Sequence, residues 1–214
     1  ATMLQGIQSV QTGNYLIARD TAVETHECCD LIYPEIGDQD TTVNESKCVE
    51  QLEDRLAQSV RYRLNADVPV GFYLSGGLDS SLVASLIHSV SPDVRRHSFS
   101  ITFPQSEIDE RRYQKMMAEF VGSIHHEIEF HRADILDRLQ DVIRHTECPL
   151  KESYDTCSLA LSGLVKQNGL KVILTGEGAD ELFAGYVGYR FDATRTDIQD
   201  FLDAETMLEN ELRE

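Results

Sequence analysis

The amino-acid sequence predicts an α/β fold in which a parallel sheet carries helices on both faces. Short apolar runs alternate with stretches of helical periodicity between residues 68 and 175, and this alternation is typical of parallel strands joined by crossover helices. Two of the apolar runs end in segments that combine glycines with acidic residues. The chain has 214 residues, of which 41% are hydrophobic, and this is enough for one buried core.

The predicted elements begin with short extended segments in residues 1–37 and a polar linker rich in turn formers over residues 37–46. A helix over 45–64 follows, because its apolar residues recur every three or four positions and Asn44 can cap it. Short apolar or alternating runs then predict four strands: 68–74, 98–103, 125–130 and 171–175. Periodic apolar positions, closed by glycine in two cases, predict four more helices: 80–90, 107–122, 133–146 and 155–169.

The last stretch, residues 196–214, predicts an acidic helix with an apolar stripe. No strand follows it in the sequence. We therefore expect either that the chain is truncated or that a second copy of the chain covers the stripe in a homodimer.

Charge and composition exclude several classes of partner. The formal net charge is −18, and such an acidic surface repels phosphate backbones and anionic lipids, so we expect no binding to nucleic acid or membranes. No apolar run approaches the roughly 18 residues of a membrane span, and no signal peptide is visible. The five cysteines are odd in number and contain no CxxC pair, which favours reduced thiols in a cytoplasmic protein.

The first glycine-containing segment, FYLSGGLDSS, covers residues 72–81 at the end of a predicted strand. Gly76 and Gly77 let the backbone turn tightly and approach a ligand closely. Hydroxyl groups come from three serines: Ser75, Ser80 and Ser81. The helix that begins near Asp79 directs its free N–H groups and the positive end of its dipole toward the same place. Such a segment is suited to binding phosphate or pyrophosphate.

Asp79 is unexpected in a phosphate-binding segment, because a carboxylate repels phosphate. Two interpretations are open: Asp79 caps the helix, or it binds a Mg²⁺ ion that accompanies the phosphates. A simple glycine turn with a capping aspartate would also produce this pattern.

The second segment, ILTGEGADELFAGY, covers residues 173–186 and again follows an apolar run. Gly176 and Gly178 permit close approach of the backbone. Asp180 is a second candidate ligand of Mg²⁺, and Glu177 is a candidate general base. A helix N-terminus whose acids complement its dipole is the alternative, and it fits Glu181 best. Ligands bind beyond the carboxyl ends of parallel strands, so both segments are expected at one site.

These segments carry a family resemblance. LSGGLDSS resembles the pyrophosphate loop of the N-type ATP pyrophosphatases, and TGEGADELFAGY closely resembles the second signature of the asparagine synthetase family. The resemblance covers residues 45–190 and implies an adenine nucleotide alpha hydrolase-like, Rossmann-like fold. It also implies that residues 1–37 are the end of a glutaminase domain with its joining segment, and that residues 38–214 are the first part of the ATP-pyrophosphatase domain.

The resemblance also implies roles for individual residues. The first segment would hold the pyrophosphate of ATP: Ser75, Gly76, Gly77, Asp79, Ser80 and Ser81. Leu74 and the strand around Ile101 would flank the adenosine, and Gly176 would approach the nucleotide. Asp79 and Asp180 would hold Mg²⁺, while Glu177 would manage the proton of the attacking ammonia.

The implied reaction is that of a glutamine-hydrolysing asparagine synthetase, with ATP and Mg²⁺ as cofactors. The carboxylate of aspartate, or of another acceptor, would attack the α-phosphorus of ATP to give an acyl-adenylate and pyrophosphate. Ammonia from a glutaminase domain would then attack the acyl carbon to give an amide and AMP. Positioning and charge neutralisation around the phosphates would supply most of the rate.

The sequence also departs from the family's pattern. The chain begins Ala1-Thr2 with no cysteine nearby, so we expect the glutaminase half to be absent, and we expect the chain alone to make no amide. Glu152 stands where the family commonly has aspartate, which leaves the acceptor open. Two alternatives remain: a cyclising synthetase of the β-lactam or lasso-peptide type, which uses an internal amine, and a non-catalytic nucleotide-binding module.

Overall fold

A four-stranded parallel sheet forms the centre of the protein in the computed structural model, which describes residues 5–20, 22–30, 42, 44–104, 109–148, 150, 152–186 and 188–189. The strands in this part of the chain are β1 (Asn14–Arg19), β2 (Ala22–Glu27), β3 (Val70–Tyr73), β4 (His97–Thr102), β5 (Ile124–Glu129) and β6 (Val172–Leu174). The helices are α1 (Glu45–Leu64), α2 (Leu78–Val90), α3 (Arg111–Phe120), α4 (Arg132–Thr146), α5 (Asp155–Gln167) and α6 (Ala179–Phe183).

The order of strands in the main sheet is β5-β4-β3-β6, and every neighbouring pair is parallel. The chain therefore moves from β3 outward to β4 and β5, and then returns to place β6 on the other side of β3. Strand order therefore reverses between β3 and β6. Open α/β sheets bind ligands beyond the carboxyl ends of the two strands at such a reversal. A ligand site is therefore expected at the segments that follow β3 and β6.

Helices cover both faces of the sheet, which confirms the predicted fold class. Successive strand residues point to opposite faces, and Phe72 packs with apolar residues of α1, α2 and α3. Tyr73, the next residue, packs on the other face, where Phe99 meets Leu161 and Val165 of α5. Phe72 and Phe99 are almost completely buried, so each face has its own aromatic anchor.

Several predicted boundaries differ from the structure by one residue or more, and three elements illustrate the differences. The strand predicted over 68–74 is shorter, because Val68 is exposed and regular pairing begins at Val70. The helix predicted over 80–90 begins two residues earlier, at Leu78. The helix predicted over 107–122 begins at Arg111 and ends at Phe120, before the left-handed Gly122, and residues 105–108 lie outside the described residues.

The N-terminal part of the described chain contains an antiparallel hairpin of β1 and β2, consistent with the predicted extended segments. Asn44 caps α1 as predicted, since its side chain accepts a hydrogen bond from the backbone N–H of Lys47. The helix predicted over 196–214 lies outside the described residues. Within the residues that the structure describes, no helix has both the length and the apolar character needed to cross a membrane.

Helix α3 is fastened to the edge strand β5 by charged contacts. Arg111 forms an ion pair with Glu129 at 2.6 Å and also donates to the hydroxyl of Thr102 at 2.8 Å. One turn later, the Lys115 ammonium lies 3.5 Å from Glu127. These contacts fix the N-terminal half of α3 beside the carboxyl ends of β4 and β5, next to the predicted site.

Candidate functional site

The two glycine-containing segments lie side by side at the carboxyl ends of neighbouring strands. Residues 75–77 follow β3, and residues 175–178 follow β6. The two strands pair in parallel, with Val70 opposite Val172 and Phe72 opposite Leu174. Because β3 and β6 are paired in register, the two segments leave the sheet at the same level and meet beyond the carboxyl ends of the strands.

A cavity of about 160 Å³ lies between the two segments. Its lining brings together six of the residues predicted for the site: Ser75, Asp79, Ser80, Gly176, Glu177 and Asp180. Asp79 and Asp180 therefore face one space although about a hundred residues separate them in the sequence. The remaining lining residues are Tyr73, Thr175, Gly178 and Tyr186. The described lining holds three carboxylates and no lysine, arginine or histidine, so a bound polyanion would need cations from solution.

The serines of the first segment hold its backbone in shape. The backbone N–H of Ser75 donates to the hydroxyl of Ser80 at 3.1 Å, and the two hydroxyl groups are hydrogen-bonded at 2.8 Å. The hydroxyls of Ser80 and Ser81 both donate to the carbonyl of Gly77, at 3.2 and 2.7 Å. The first-turn N–H groups of α2, which have no partner inside the helix, thus extend from a braced turn.

Two glycines are required for different reasons. Gly76 has φ of +95°, a left-handed conformation that strains other residues, and a Cβ there would lie 3.0 Å from Cβ of Glu110. At Gly176 the constraint is space, since an added Cβ would lie 2.9 Å from Cβ of Asp79 and 3.1 Å from the Ser80 nitrogen. The second segment therefore packs directly on the first turn of α2.

One of the two interpretations of Asp79 is wrong. The N-cap of α2 is Gly77, in an extended conformation and without a side-chain cap, and Asp79 lies inside the first turn. Asp79 lines the cavity, and no side chain caps the helix. Favourable interaction with the helix dipole remains, because an acid in the first turn complements the positive end.

Several predicted residues lie outside the cavity lining. Leu74 is 1% exposed and packs in the core, so only its backbone is near the site. Ile101 is part of β4 and half-buried. Gly76, Gly77 and Ser81 build the turn without lining the cavity. Glu152, the departure from the family's pattern, is exposed and also lies outside the lining.

Two tyrosines line the cavity although sequence analysis gave them no role. The hydroxyl of Tyr73 is hydrogen-bonded to Ser162 of α5 at 3.2 Å. The hydroxyl of Tyr186 donates to Glu181 at 2.9 Å, and this bond, with the negative charges of nearby acids, raises the pKa of Tyr186 to about 12. Both residues belong to the two glycine-containing segments. A tyrosine next to an apolar run is, however, usually an ordinary core residue, so the sequence pattern alone gives no reason to place them at the site.

A second, more apolar cavity of about 300 Å³ adjoins the first, between α1, α2 and α6. Asp79, Gly176 and Glu177 line both cavities. The acidic segment after β6 therefore stands between a polar space and an apolar one. In the described part of the chain, no three acidic, histidine or cysteine side chains are grouped closely enough to hold a metal by themselves.

Substituting Gly176 by alanine is expected to lower the free energy of unfolding by about 1–3 kcal/mol, because the added methyl group meets Asp79 and the α2 backbone. Gly163→Ala is the matched control: it lies in α5, where an added Cβ meets nothing within 4 Å, and alanine there is expected to stabilise the helix slightly. Urea unfolding of both variants measures the difference. Equal stabilities would contradict the tight contact at Gly176.

The chain is similar in sequence to proteins of known families. Residues 51–214 match the family model described as asparagine synthase. The chain is 34% identical over 206 residues to "Amidase chry2" of Gibberella zeae, covering 90% of this chain and 31% of that protein. It is 32% identical over 201 residues to "Asparagine synthetase B [glutamine-hydrolyzing]" of Escherichia coli, covering 85% of this chain and 34% of that protein.

Among the solved structures that match is the glutamine-dependent NAD⁺ synthetase from Acinetobacter baumannii in complex with ADP. It has a TM-score of 0.47 and 18% identity, and the match covers 69% of this chain and 29% of that one. The chain spans about a third of the length of the two curated relatives named above. The family model covers most of the chain, including both glycine-containing segments, and the resemblance predicted from those segments is confirmed: the chain belongs to the asparagine synthase family.

Proposed function

We propose that this chain binds ATP at the cavity between the two segments and serves as the amide-forming part of an ATP-dependent ligase. One observation carries the proposal. Ser75 at the start of the braced turn, Asp79 and Ser80 in the first turn of α2, and the acidic segment after β6 line a single cavity at the point where strand order reverses. This is the place where open α/β sheets bind nucleotides, and the N-terminus of α2 supplies free N–H groups for phosphate.

The lining suits phosphates accompanied by Mg²⁺ better than phosphates alone. ATP is a polyanion, and three carboxylates without a neutralising basic residue would repel it. Mg²⁺ is usually held by one or two carboxylates together with substrate phosphates, which fits Asp79 and Asp180. The ion would neutralise charge on the phosphates during transfer. No third protein ligand is needed, in accordance with the absence of a three-residue cluster in the described part of the chain.

The proposed reaction has two steps. A carboxylate of the acceptor attacks the α-phosphorus of ATP, an acyl-adenylate forms, and pyrophosphate leaves. Ammonia then attacks the acyl carbon, the bond to AMP breaks, and the nitrogen loses a proton to Glu177, which lies at the cavity wall. The turn after β3 orients the phosphates, so the protein contributes mainly positioning and electrostatic stabilisation.

Aspartate is the acceptor that we propose first, because the family includes asparagine synthetases. Relatives at similar identity are named amidases, so another carboxylate acceptor is retained in the test. Ammonia would come from a glutaminase domain, which residues 1–37 would join to the ligase domain beginning at residue 38. The five cysteines are unpaired, and we propose that the protein acts in the reducing cytoplasm.

The proposal predicts that the chain binds ATP in the presence of Mg²⁺ and binds it much more weakly when EDTA removes the ion. Isothermal titration calorimetry at millimolar nucleotide measures both conditions. Exchange of labelled pyrophosphate into ATP, assayed with aspartate and with other amino acids, then identifies the acceptor. Absence of heat and of any thermal shift with ATP and Mg²⁺ would contradict the nucleotide site itself.

A further inference from the structure

Gln114 joins two parts of the nucleotide site that the backbone leaves separate. It lies in α3 and is 2% exposed. Its side-chain nitrogen donates one hydrogen bond to the carbonyl of Ser75 and another to the carbonyl of Ile101, each at 3.0 Å. Ser75 begins the turn after β3, and Ile101 lies near the end of β4. One amide group therefore connects the turn to the neighbouring strand.

The connection occurs where strands β3 and β4 separate. Their last backbone hydrogen bond runs from the Leu74 N–H to the Phe99 carbonyl. Beyond it, β4 continues beside β5, with Ile101 opposite Ile128, while the chain from β3 turns away into the segment of residues 75–77. No ladder holds the turn to β4 at this level, so side chains set the spacing. The hydroxyl of Ser100 in β4 donates to the carbonyl of Leu74, directly before the turn, and Gln114 bonds to the turn itself. Both N–H groups of the Gln114 amide are used for this.

Helix α3 holds that amide on a rigid support. Its ion pairs with β5 fix its N-terminal half, and Gly76 packs against Glu110 and Tyr113 at the start of the helix. A hydrogen-bonding group on a fixed helix restrains its partners more tightly than one on a mobile loop, since less side-chain freedom is lost when the bonds form.

We propose that Gln114 is a positioning residue that sets the distance between the phosphate-binding turn and the strand that flanks the adenosine. The inference rests on the proposed function, because it assumes that ATP spans both parts. A ligand with two linked ends gains affinity only when the two subsites have the spacing that the ligand can reach. Loss of the Gln114 amide should therefore weaken whole ATP more than either of its halves.

The test compares three ligands in the presence of Mg²⁺: ATP, pyrophosphate and adenosine. Gln114→Met keeps the length and packing of the side chain but removes both hydrogen bonds. We expect the Kd for ATP to rise about 10-fold, the effect of one to two net hydrogen bonds, and the Kd values for pyrophosphate and adenosine to change much less. Calorimetry measures the Kd for ATP, and ligand-observed NMR measures the Kd values for pyrophosphate and adenosine, which bind more weakly.

Asn168→Ala is the matched control. Its side-chain amide also donates to a backbone carbonyl, that of Leu164 at 2.9 Å, but it lies at the C-terminal end of α5. This variant should lose thermal stability and keep the ATP affinity of the wild type. The control therefore separates the effect of lower protein stability on ATP binding from the effect of an altered distance between the turn and β4.

The outcomes distinguish this inference from the proposed function. If the wild-type chain binds no ATP, the proposed function fails and this inference fails with it. If the wild type binds ATP but Gln114→Met weakens all three ligands by one common factor, or leaves ATP unaffected, the inference alone is overturned. If Gln114→Met does not fold, Gln114→His replaces it, because histidine retains one N–H donor. Its Kd for ATP is compared with its Kd values for pyrophosphate and adenosine in the same way.

Discussion

Glu177→Gln is expected to slow amide formation about 10²–10⁴-fold, the usual contribution of a positioned acid–base group. Glu177 follows Gly176 in the segment after β6 and lines the cavity beside Asp79 and Asp180. The substitution removes one negative charge and the ability to accept a proton, with almost no change of size. ATP binding should be retained, because in the proposed complex the phosphates are held mainly by the turn after β3.

The measurement is ammonia-dependent amide formation, in a form of the protein that completes the reaction, with the acceptor identified by pyrophosphate exchange. Glu181→Gln serves as the control, because this neighbouring acid in α6 bonds to Tyr186 and lies outside the cavity lining. Its rate should stay near that of the wild type. Product formation by Glu177→Gln at the wild-type rate would reduce Glu177 to a charge near the start of α6.

Asp79→Asn and Asp180→Asn are each expected to remove most of the Mg²⁺-dependent gain in ATP affinity. If both carboxylates serve one ion, the double variant should lose much less than the sum of the two single losses. Residues in one interacting network typically show coupling of about 0.5–3 kcal/mol, which corresponds to as much as about a 100-fold change in Kd.

Calorimetry with ATP, in Mg²⁺ and in EDTA, gives the affinity of each of the four proteins of this double-mutant cycle in both conditions. Asp137 is an exposed residue of α4. Asp137→Asn removes the same charge far from the site and should leave the ATP affinity unchanged in both conditions. Additive losses from Asp79 and Asp180 would rule out a shared ion. In EDTA the two single variants should bind ATP better than the wild type, because each removes a charge that repels the phosphates.

The sequence was sufficient for the parts of the fold and site that depend on local pattern. Alternating apolar runs and periodic helices identified all four strands of the main sheet, and glycines after two of those strands identified the two segments of the site. Boundaries failed where tertiary packing decides them. The strand predicted from residue 68 starts later because Val68 remains exposed, and hydrophobicity alone does not reveal exposure.

Other features depend on contacts between distant residues and could not be predicted. The role of Gln114 rests on the separation of β3 from β4, and a glutamine in an amphipathic helix is usually a surface residue. The protein atoms around Gly176 could not be predicted for a similar reason. Close approach of the backbone was predicted, but the atoms that it approaches belong to Asp79 and Ser80. Asp79 was a candidate cap of α2, whereas the N-cap in the structure is Gly77, two residues earlier.

The pairing of β3 with β6 has a consequence for how the protein folds. Val70 and Val172 are neighbours in the sheet although about a hundred residues separate them in the chain, and contacts of such long range cost more loop-closure entropy and tend to form slowly. The cavity exists only once this pairing is complete. Nucleotide binding during refolding would therefore report on the closing of the sheet, after the more local β4–β5 unit with α3 has had time to form.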